Sequence, residues 1–471
     1  MPLDDEICYR AAAARDARFD GQFFTGVTST GIFCRPVCPA RTPGRDRCRF
    51  FPSAAAALDA GFRPCLRCRP EVSPDMPAWL GTSSTVSRAL RLIHAGALDD
   101  RDVESLATRT GIGARHLRRL FEEHLGASPV AVAQARRLLF AKRLLRETEL
   151  TLTDVAMAAG FGSLRRFNDL FLNTYGRSPG ALRRGLREDG VAGSPAIELR
   201  LDYHPPYDWA GVAAFLARRA LPGVEVATAN SYSRTIRIGE KDAGRITVRP
   251  APWGEAALLT RIELPSVASL RETVERLHRV FDLRVAPHSV AAQLGELAVP
   301  GIRLPGAWDV FELAVRAILG QQISVAAATT FATRMVERWG EDAPALPGEP
   351  NRLFPAPRVL ADAPVAEIGL PGARATAIME LARAATQGAL DFPPLAPLDE
   401  IVRRLCTLRG IGEWTAQYIA MRAFGEPDAF PAADLVLRKA MGGITEKQLL
   451  ARAEAWRPWR AYAVFSLWQR S

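Results

Sequence analysis

The chain has 471 residues, too many for a single hydrophobic core, so three or four domains are expected. Its 48% apolar and 24% charged content is that of ordinary globular protein, and no apolar run is long enough to span a membrane. A net charge of +10 favours a polyanionic partner, because basic side chains that neutralise phosphates release counterions.

The acidic opening MPLDDE lacks the basic start of a signal peptide, so a cytoplasmic protein with no membrane attachment is expected. Six of seven cysteines lie before residue 70: Cys8, Cys34, Cys38, Cys48, Cys65 and Cys68, with Cys406 far behind. An odd, front-loaded set argues for metal rather than disulfides. Cys34-x3-Cys38 and Cys65-x2-Cys68 are two close pairs, spaced as four thiolates that share one tetrahedral Zn2+ would be. Spacing alone does not distinguish a structural zinc ribbon from a reactive site. The words DGQFFTGVTSTGIFCRPVCPAR and AGFRPCLRCRP resemble the N-terminal domain of the Ada adaptive-response protein, over residues 20–70. That resemblance implies that Cys34 is both zinc ligand and acceptor of a methyl group from a DNA methylphosphotriester. It also puts Arg41 and Arg63 at positions that touch phosphates. Methylation would turn a thiolate into a neutral thioether, so the site would repel phosphate less and bind DNA more tightly. Cys8 and Cys48 fit no ligand slot.

A Pro/Ser stretch over 73–84 reads as a linker. From 86 to about 186 the pattern is helical and contains two similar units, LATRTGIGARHLRRLFEEHLGASP and VAMAAGFGSLRRFNDLFLNTYGRSP. Each has a small-residue helix, a Gly-bearing turn and a second helix with basic residues opposite an apolar stripe. The pair resembles the AraC-type DNA-binding domain, and the LGxSP and YGxSP endings carry the likeness. Arg115, His116 and Arg118, with Ser163, Leu164 and Arg165, are then candidates to meet bases or phosphates. Taken singly, each could equally be solvent-exposed surface. The Pro-Cys-His-Arg motif of a guanine-O6 methyltransferase is absent.

After a second linker over 187–197, the segments IELRLDY, YSRTIRI and RITVRP alternate as strands, with helices at 209–219 and 269–280. An antiparallel α+β domain is expected. HPPYDWAGVAAFLARRALPGVE resembles the amino-terminal, TBP-like domain of AlkA-type 3-methyladenine-DNA glycosylase II, which puts Phe215 near a base pocket.

From 289 onward the chain is helical again. The periodicity of 307–340 is interrupted at Gly320-Gln321-Gln322, and 405–440 reads as helix, tight turn at Gly410-Ile411-Gly412, helix, Gly/Pro loop and a third helix opening near Asp434. The glycines allow a sharp turn whose N–H groups can approach a phosphate. Trp414 and Tyr418, four apart, share a helix face. Gly410-x-Gly412-x-x-Ala416 also meets a loose dinucleotide fingerprint, but helical spacing, not a strand, precedes it. Alone, the two aromatics would more often be core and Asp434 an N-cap. The ordered set resembles the helix-hairpin-helix, Gly/Pro-loop, aspartate (HhH-GPD) signature of DNA glycosylases.

This resemblance implies that Asp434 is catalytic, that Phe215, Trp414, Tyr418 and Trp468 line the base pocket, and that Gln321, Gln322, Gly410 and Gly412 contact DNA. Gln322 stands where relatives carry an apolar wedge, and a glutamine could instead hydrogen-bond the orphaned base. Leu435 replaces a tyrosine. Bifunctional relatives have a lysine where this chain has Trp414, so no lyase step is expected. A monovalent cation at the hairpin turn is a further expectation. The expected architecture is multidomain α and α+β: a zinc-binding methyl-acceptor domain (1–75), an all-α double helix-turn-helix (82–187), an antiparallel α+β domain (195–288) and an all-α glycosylase domain (289–471). The function expected is a monomeric, fused alkylation-response protein, with double-stranded DNA, a promoter and RNA polymerase as partners. Two alternatives stand: a regulator whose glycosylase fold only binds lesions, and a pure enzyme that uses its front half for targeting.

Overall fold

The computed structural model describes residues 4–73, 84–94, 96–186, 196–239, 242–252, 254–343, 348–392 and 396–470. The expected linkers at 73–84 and 187–197 lie outside them except at their ends. The chain divides into two compact units, 1–205 with 266–275, and 206–265 with 276–471.

In the first unit a four-stranded sheet runs in the order Cys48–Phe51, Phe24–Val27, Ile32–Cys34, Arg63–Pro64. The last pairing is parallel, with Phe33 opposite Pro64, and the Cys65 N–H donates to the Phe33 carbonyl at 3.0 Å. That register sets Cys34 and Cys65, the residues that follow, side by side. Phe24, Phe33, Phe51 and Phe62 form the core beneath, together with Ala55, Ala56, Ala57, Ala127 and Ala135.

The helical part of this unit repeats one device. Helices Ala114–Leu125 and Leu164–Tyr175 both stop at a left-handed glycine, Gly126 and Gly176. Two residues on, Ser128 and Ser178 accept N–H groups of the next helix, whose first residue is Pro129 or Pro179. Thus each GxSP word is a helix stop followed by a cap and a proline that needs no N–H partner. Helices Val103–Thr110 and Leu152–Ala159 open the two units and end at Gly111 and Gly160, also left-handed. The buried faces of Ala114–Leu125 and Leu164–Tyr175 are apolar, with Leu117, Phe121, Phe167 and Phe171 fully buried.

In the second unit the antiparallel strands Glu225–Ala227, Tyr232–Ile238, Asp242–Pro250 and Ala257–Glu263 pair in sequence order. Helix Trp209–Ala217 is capped by Asp208. The first and last of these strands were not expected from sequence. Nor was the two-residue ribbon of Glu341–Asp342 with Arg352–Leu353, which interrupts the helical region. Helices Val310–Leu319 and Val325–Trp339 flank the expected break at 320–322. The hairpin helices are Leu398–Cys406 and Glu413–Ala423, and Leu435–Ala440 follows. Thr407 and Phe424 are the C-caps of the two hairpin helices. The expected helices at 209–219 and 269–280 are Trp209–Ala217 and Leu270–Val280. No helix among the described residues is long and apolar enough to cross a membrane.

Candidate functional sites

The sulfurs of Cys34, Cys38, Cys65 and Cys68 lie within 4.8 Å of one another. A tetrahedral zinc with bonds of about 2.3 Å spaces its thiolates by about 3.8 Å, so the four residues fit that ion. Backbone supplies further polarity: the Arg35 N–H donates to Cys68 Sγ at 3.3 Å and the Arg67 N–H to Cys65 Sγ at 3.4 Å. Cys65 and Cys68 are buried, whereas Cys34 and Cys38 are half-buried. Cys8 differs in kind. Burial, then Asp5 and Asp4, push its thiol up to about 11, which leaves it protonated and unreactive at neutral pH. Cys48 is likewise raised by burial, and Cys406 is exposed and remote in sequence. Arg41 is exposed and Arg63, on the edge strand, is half-buried.

Arg115, His116 and Arg118 are exposed on the first turns of helix Ala114–Leu125. Arg118 pairs with Glu104 at 2.9 Å, an exposed contact of little energetic weight. Leu164 and Arg165 are exposed at the start of the corresponding second helix. Ser163 has a structural duty there, since its hydroxyl accepts the Arg166 N–H at 3.2 Å as the N-cap.

In the second unit, Phe215, Trp414, Tyr418, Trp468 and Asp434 all line one cavity of about 700 Å³. Asp434 is 9% exposed. Its Oδ1 caps helix Leu435–Ala440 by accepting the N–H groups of Val436 and Leu437 at 2.9 and 3.0 Å, so the N-cap alternative holds as well. Oδ2 accepts the Trp414 Nε1–H at 3.2 Å. Trp414 stacks on Tyr418 with ring centres 5.5 Å apart and planes within 4°, and Tyr418 meets Trp468 at 6.2 Å.

Phe215 occupies a different setting. It is 2% exposed, packs edge-on to Phe465, and carries the guanidinium groups of Arg219 and Arg422 over its ring at 3.9 and 4.6 Å. Arg422 also donates to Tyr418 Oη at 2.9 Å. Burial alone would raise the Tyr418 phenol, but the positive charges of Arg422, Arg219 and Arg316 outweigh it and draw the phenol below its ordinary value. Arg316 is held by Glu225 and Glu312 at 2.9 and 3.0 Å, and Arg234 by Glu312 at 2.6 Å. Sequence reasoning missed this ionic wall. The signal was present: Arg219, Arg422 and Arg316 each follow Phe215, Tyr418 and Glu312 by four residues, one helical turn.

Gln321 and Gln322 do not share a role. The Gln321 amide donates to the Gly410 carbonyl at 2.7 Å and to Thr415 Oγ1 at 3.2 Å, while Arg374 donates to the Gln321 carbonyl at 2.8 Å. Gln321 therefore ties its loop to the hairpin turn. Gln322 is exposed, with φ of 59°, a backbone conformation that costs a non-glycine residue free energy. Gly410 has φ of 81°, and a Cβ there would meet Ala377 at 2.7 Å, whereas Gly412 has ordinary dihedrals and open space. Leu435 is 65% exposed.

Over 99% of its length the chain is 39% identical to a Mycobacterium tuberculosis protein, "Probable bifunctional transcriptional activator/DNA repair enzyme AlkA", and covers 97% of it. The chain belongs to the AlkA family of bifunctional transcriptional activator/DNA repair enzymes. Profiles of four families agree with this AlkA-type chain: the metal binding domain of Ada over 7–71, a helix-turn-helix domain over 106–185, the AlkA N-terminal domain over 198–309, and the HhH-GPD superfamily base excision DNA repair protein over 315–459. Escherichia coli DNA-3-methyladenine glycosylase 2 is 36% identical over 57% of this chain and 95% of its own. Bacillus subtilis AdaA, a bifunctional transcriptional activator/DNA repair enzyme, is 33% identical over 37% of this chain and 81% of its own. The 3-methyladenine DNA-glycosylase of Archaeoglobus fulgidus shares the fold, with a TM-score of 0.50 at 22% identity over 57% of this chain and 97% of that one. Helix-turn-helix and base-excision segments make DNA the partner of this AlkA-type chain.

Proposed function

We propose that this chain is an alkylation-response protein that excises alkylated bases through Asp434 and accepts methyl groups on Cys34. Methylation of Cys34 switches its grip on DNA. The observation that supports the first part is the single cavity bearing Asp434, the stacked Trp414 and Tyr418, and Trp468. The four-part division at 1–75, 82–187, 195–288 and 289–471 follows from the same reading.

Excision begins with the damaged nucleotide leaving the stack and entering the cavity, where aromatic faces replace its neighbours. A base alkylated at N3 or N7 is cationic and gains on the order of 1 kcal/mol over an indole face. Trp414 and Trp468 serve that purpose, with Phe215 beneath as a packed floor, since its ring is already covered by guanidinium groups. The bond from sugar C1′ to the base nitrogen breaks, its electron pair neutralises the departing base, and positive charge develops on the sugar. Asp434 Oδ2 stabilises that charge while water adds to C1′ and releases its extra proton to solvent, and the carboxylate's other oxygen stays fixed by the helix cap. With Trp414 in place of an amine, no Schiff base forms. Gln322 fills the vacated space and hydrogen-bonds the orphaned base, and the N–H groups beyond Gly410 and Gly412 meet a phosphate, with a monovalent cation at that turn.

In the cysteine site, Cys34, Cys38, Cys65 and Cys68 would hold a Zn2+ ion, which would keep their sulfurs as thiolates. Cys34 Sγ attacks the methyl carbon of a phosphotriester: the S–C bond forms, the C–O bond breaks, and a phosphodiester anion leaves. Arg41 and Arg63 hold the adjacent phosphates. Arg115, His116, Arg118, Ser163 and Arg165 engage a promoter duplex, with RNA polymerase as second partner of a cytoplasmic monomer.

The deciding experiment is release of 3-methyladenine from alkylated duplex by wild type and Asp434→Asn. The variant is expected to lose on the order of 100-fold or more in rate while duplex binding persists. Wild-type excision by Asp434→Asn refutes the assignment. Methyl acceptance is checked by mass spectrometry, where a methyl group on any cysteine but Cys34 refutes that half.

A further inference from the structure

The helix Pro129–Glu147 joins the two helix-turn-helix units, and its two ends make different contacts. Ala135 near its start shares the phenylalanine core of the cysteine-bearing sheet. Its last turns grip the loop that carries the second cysteine pair. Lys142 Nζ donates to the Cys65 carbonyl at 2.9 Å and pairs with Glu71 at 2.6 Å, while Arg146 donates to the Leu66 carbonyl at 3.3 Å. Arg69 approaches Glu71 at 3.5 Å and also pairs with Glu147, the last residue of the helix.

Both side chains of the Lys142–Glu71 pair are 0% exposed. Taking an ammonium and a carboxylate out of water is costly, and an apolar pair of similar volume commonly gives equal or greater stability. Stability therefore gives no reason for two full charges here. What charges do provide is a directional tie between one particular carbonyl and one particular point on a helix. The helix Leu152–Ala159 of the second unit starts five residues after Glu147, so whatever fixes the end of the long helix fixes that unit's approach.

We propose that the Lys142–Glu71 pair, with Arg146 beside it, is a buried link through which the state of the four-cysteine site sets the position of the second helix-turn-helix unit. The inference rests on the metal-site reading above. With the four sulfurs gathered on one ion, loop 65–68 is closed and its carbonyls stand still. The end of the long helix is then held, and helix Leu164–Tyr175 with it. Lys142 acts as a positioning residue, not a ligand.

Amide hydrogen exchange on the full chain, zinc-loaded and chelator-stripped, tests this, with bound zinc counted in each sample. In wild type, loading should slow exchange in Leu164–Tyr175 by on the order of 5-fold or more, the lower end of ordinary coupling. The variant Lys142→Met/Glu71→Leu should still bind one zinc yet show no such response. Should it fail to fold, Arg146→Leu, a half-exposed and more tolerant change, should reduce the response. A wild-type response that survives in the folded variants, or no response in wild type while zinc binds, overturns the link. Failure of wild type to bind zinc removes the metal-site reading and the link with it.

Discussion

Asp434 uses its two oxygens differently: Oδ1 is committed to the cap of its helix, while Oδ2 has the Trp414 indole N–H as its partner. Trp414 therefore acts twice, as a stacking surface over Tyr418 and as a donor that fixes the carboxylate oxygen left free by the cap. Trp414→Phe separates the two. The ring and its stacking remain, but a hydrogen bond to a charged acceptor, worth about 1.5 to 3 kcal/mol, is gone. We expect kcat to fall by about tenfold or more with KM nearly unchanged, whereas Trp414→Ala should raise KM as well. Steady-state kinetics on alkylated duplex decide it, and a Phe variant that mainly raises KM contradicts the donor role. The cavity's aromatics and its acid were legible because they sit in an ordered motif. The arginines over Phe215 and Tyr418 were not, because a turn-spaced arginine usually solvates a surface, and only three-dimensional packing turns these inward.

The two hairpin glycines look alike in sequence but meet different demands. At Gly410 a left-handed backbone and the approach of Ala377 both exclude a side chain, so Gly410→Ala should destabilise the unit by about 1–3 kcal/mol in denaturant melts. Gly412 faces open space with ordinary dihedrals. Gly412→Ala should leave the melt unchanged within about 1 kcal/mol, so weaker duplex binding by it would report lost backbone approach to phosphate alone. Equal destabilisation by both substitutions contradicts this division. A second element-scale test concerns Asp282, half-buried just after helix Leu270–Val280, where it accepts Tyr462 Oη–H at 2.8 Å and the Leu304 N–H at 2.9 Å. Burial raises its carboxyl from 3.8 to about 6, although Arg303 opposes the rise. Between those values the folded chain binds more protons than the unfolded one, so stability falls as pH rises, by at most about 3 kcal/mol in all. Asp282→Asn removes that slope, so its melting temperature relative to wild type should improve from pH 4 to pH 7.5, and a constant difference refutes the attribution. At this scale the sequence was legible where a stop and a cap coincide, as in Gly126-Ala127-Ser128-Pro129. It was opaque for strand Ala257–Glu263, whose leading apolar residues lack clean alternation, and for the two-residue ribbon, which is too short for any period to show.

At the scale of the whole chain, each chemistry resides within one compact unit. The four clustered cysteines lie in the first, and every residue lining the cavity that holds Asp434 lies in the second. The sheet carrying the cysteines has strands of only two to four residues, too short to hold register by pairing alone, so the metal should supply a sizeable part of that region's stability. The second unit has a long meander, a packed helical core and the Glu225 cluster, whose carboxylate is held at about 2 because Arg316 and Arg234 outweigh its burial. None of these depends on the cysteines. Stripping zinc with a chelator should thus lower the melting temperature of the first unit by several degrees and abolish methyl acceptance. Base release should keep its kcat under the same treatment. Calorimetry should resolve two transitions, of which only one moves with zinc, and a parallel loss of excision would show that the two centres share one folding unit. Because the basic charge of the first unit contributes to duplex capture, the effect of chelation on KM should grow as salt is lowered, while kcat stays flat across the same range.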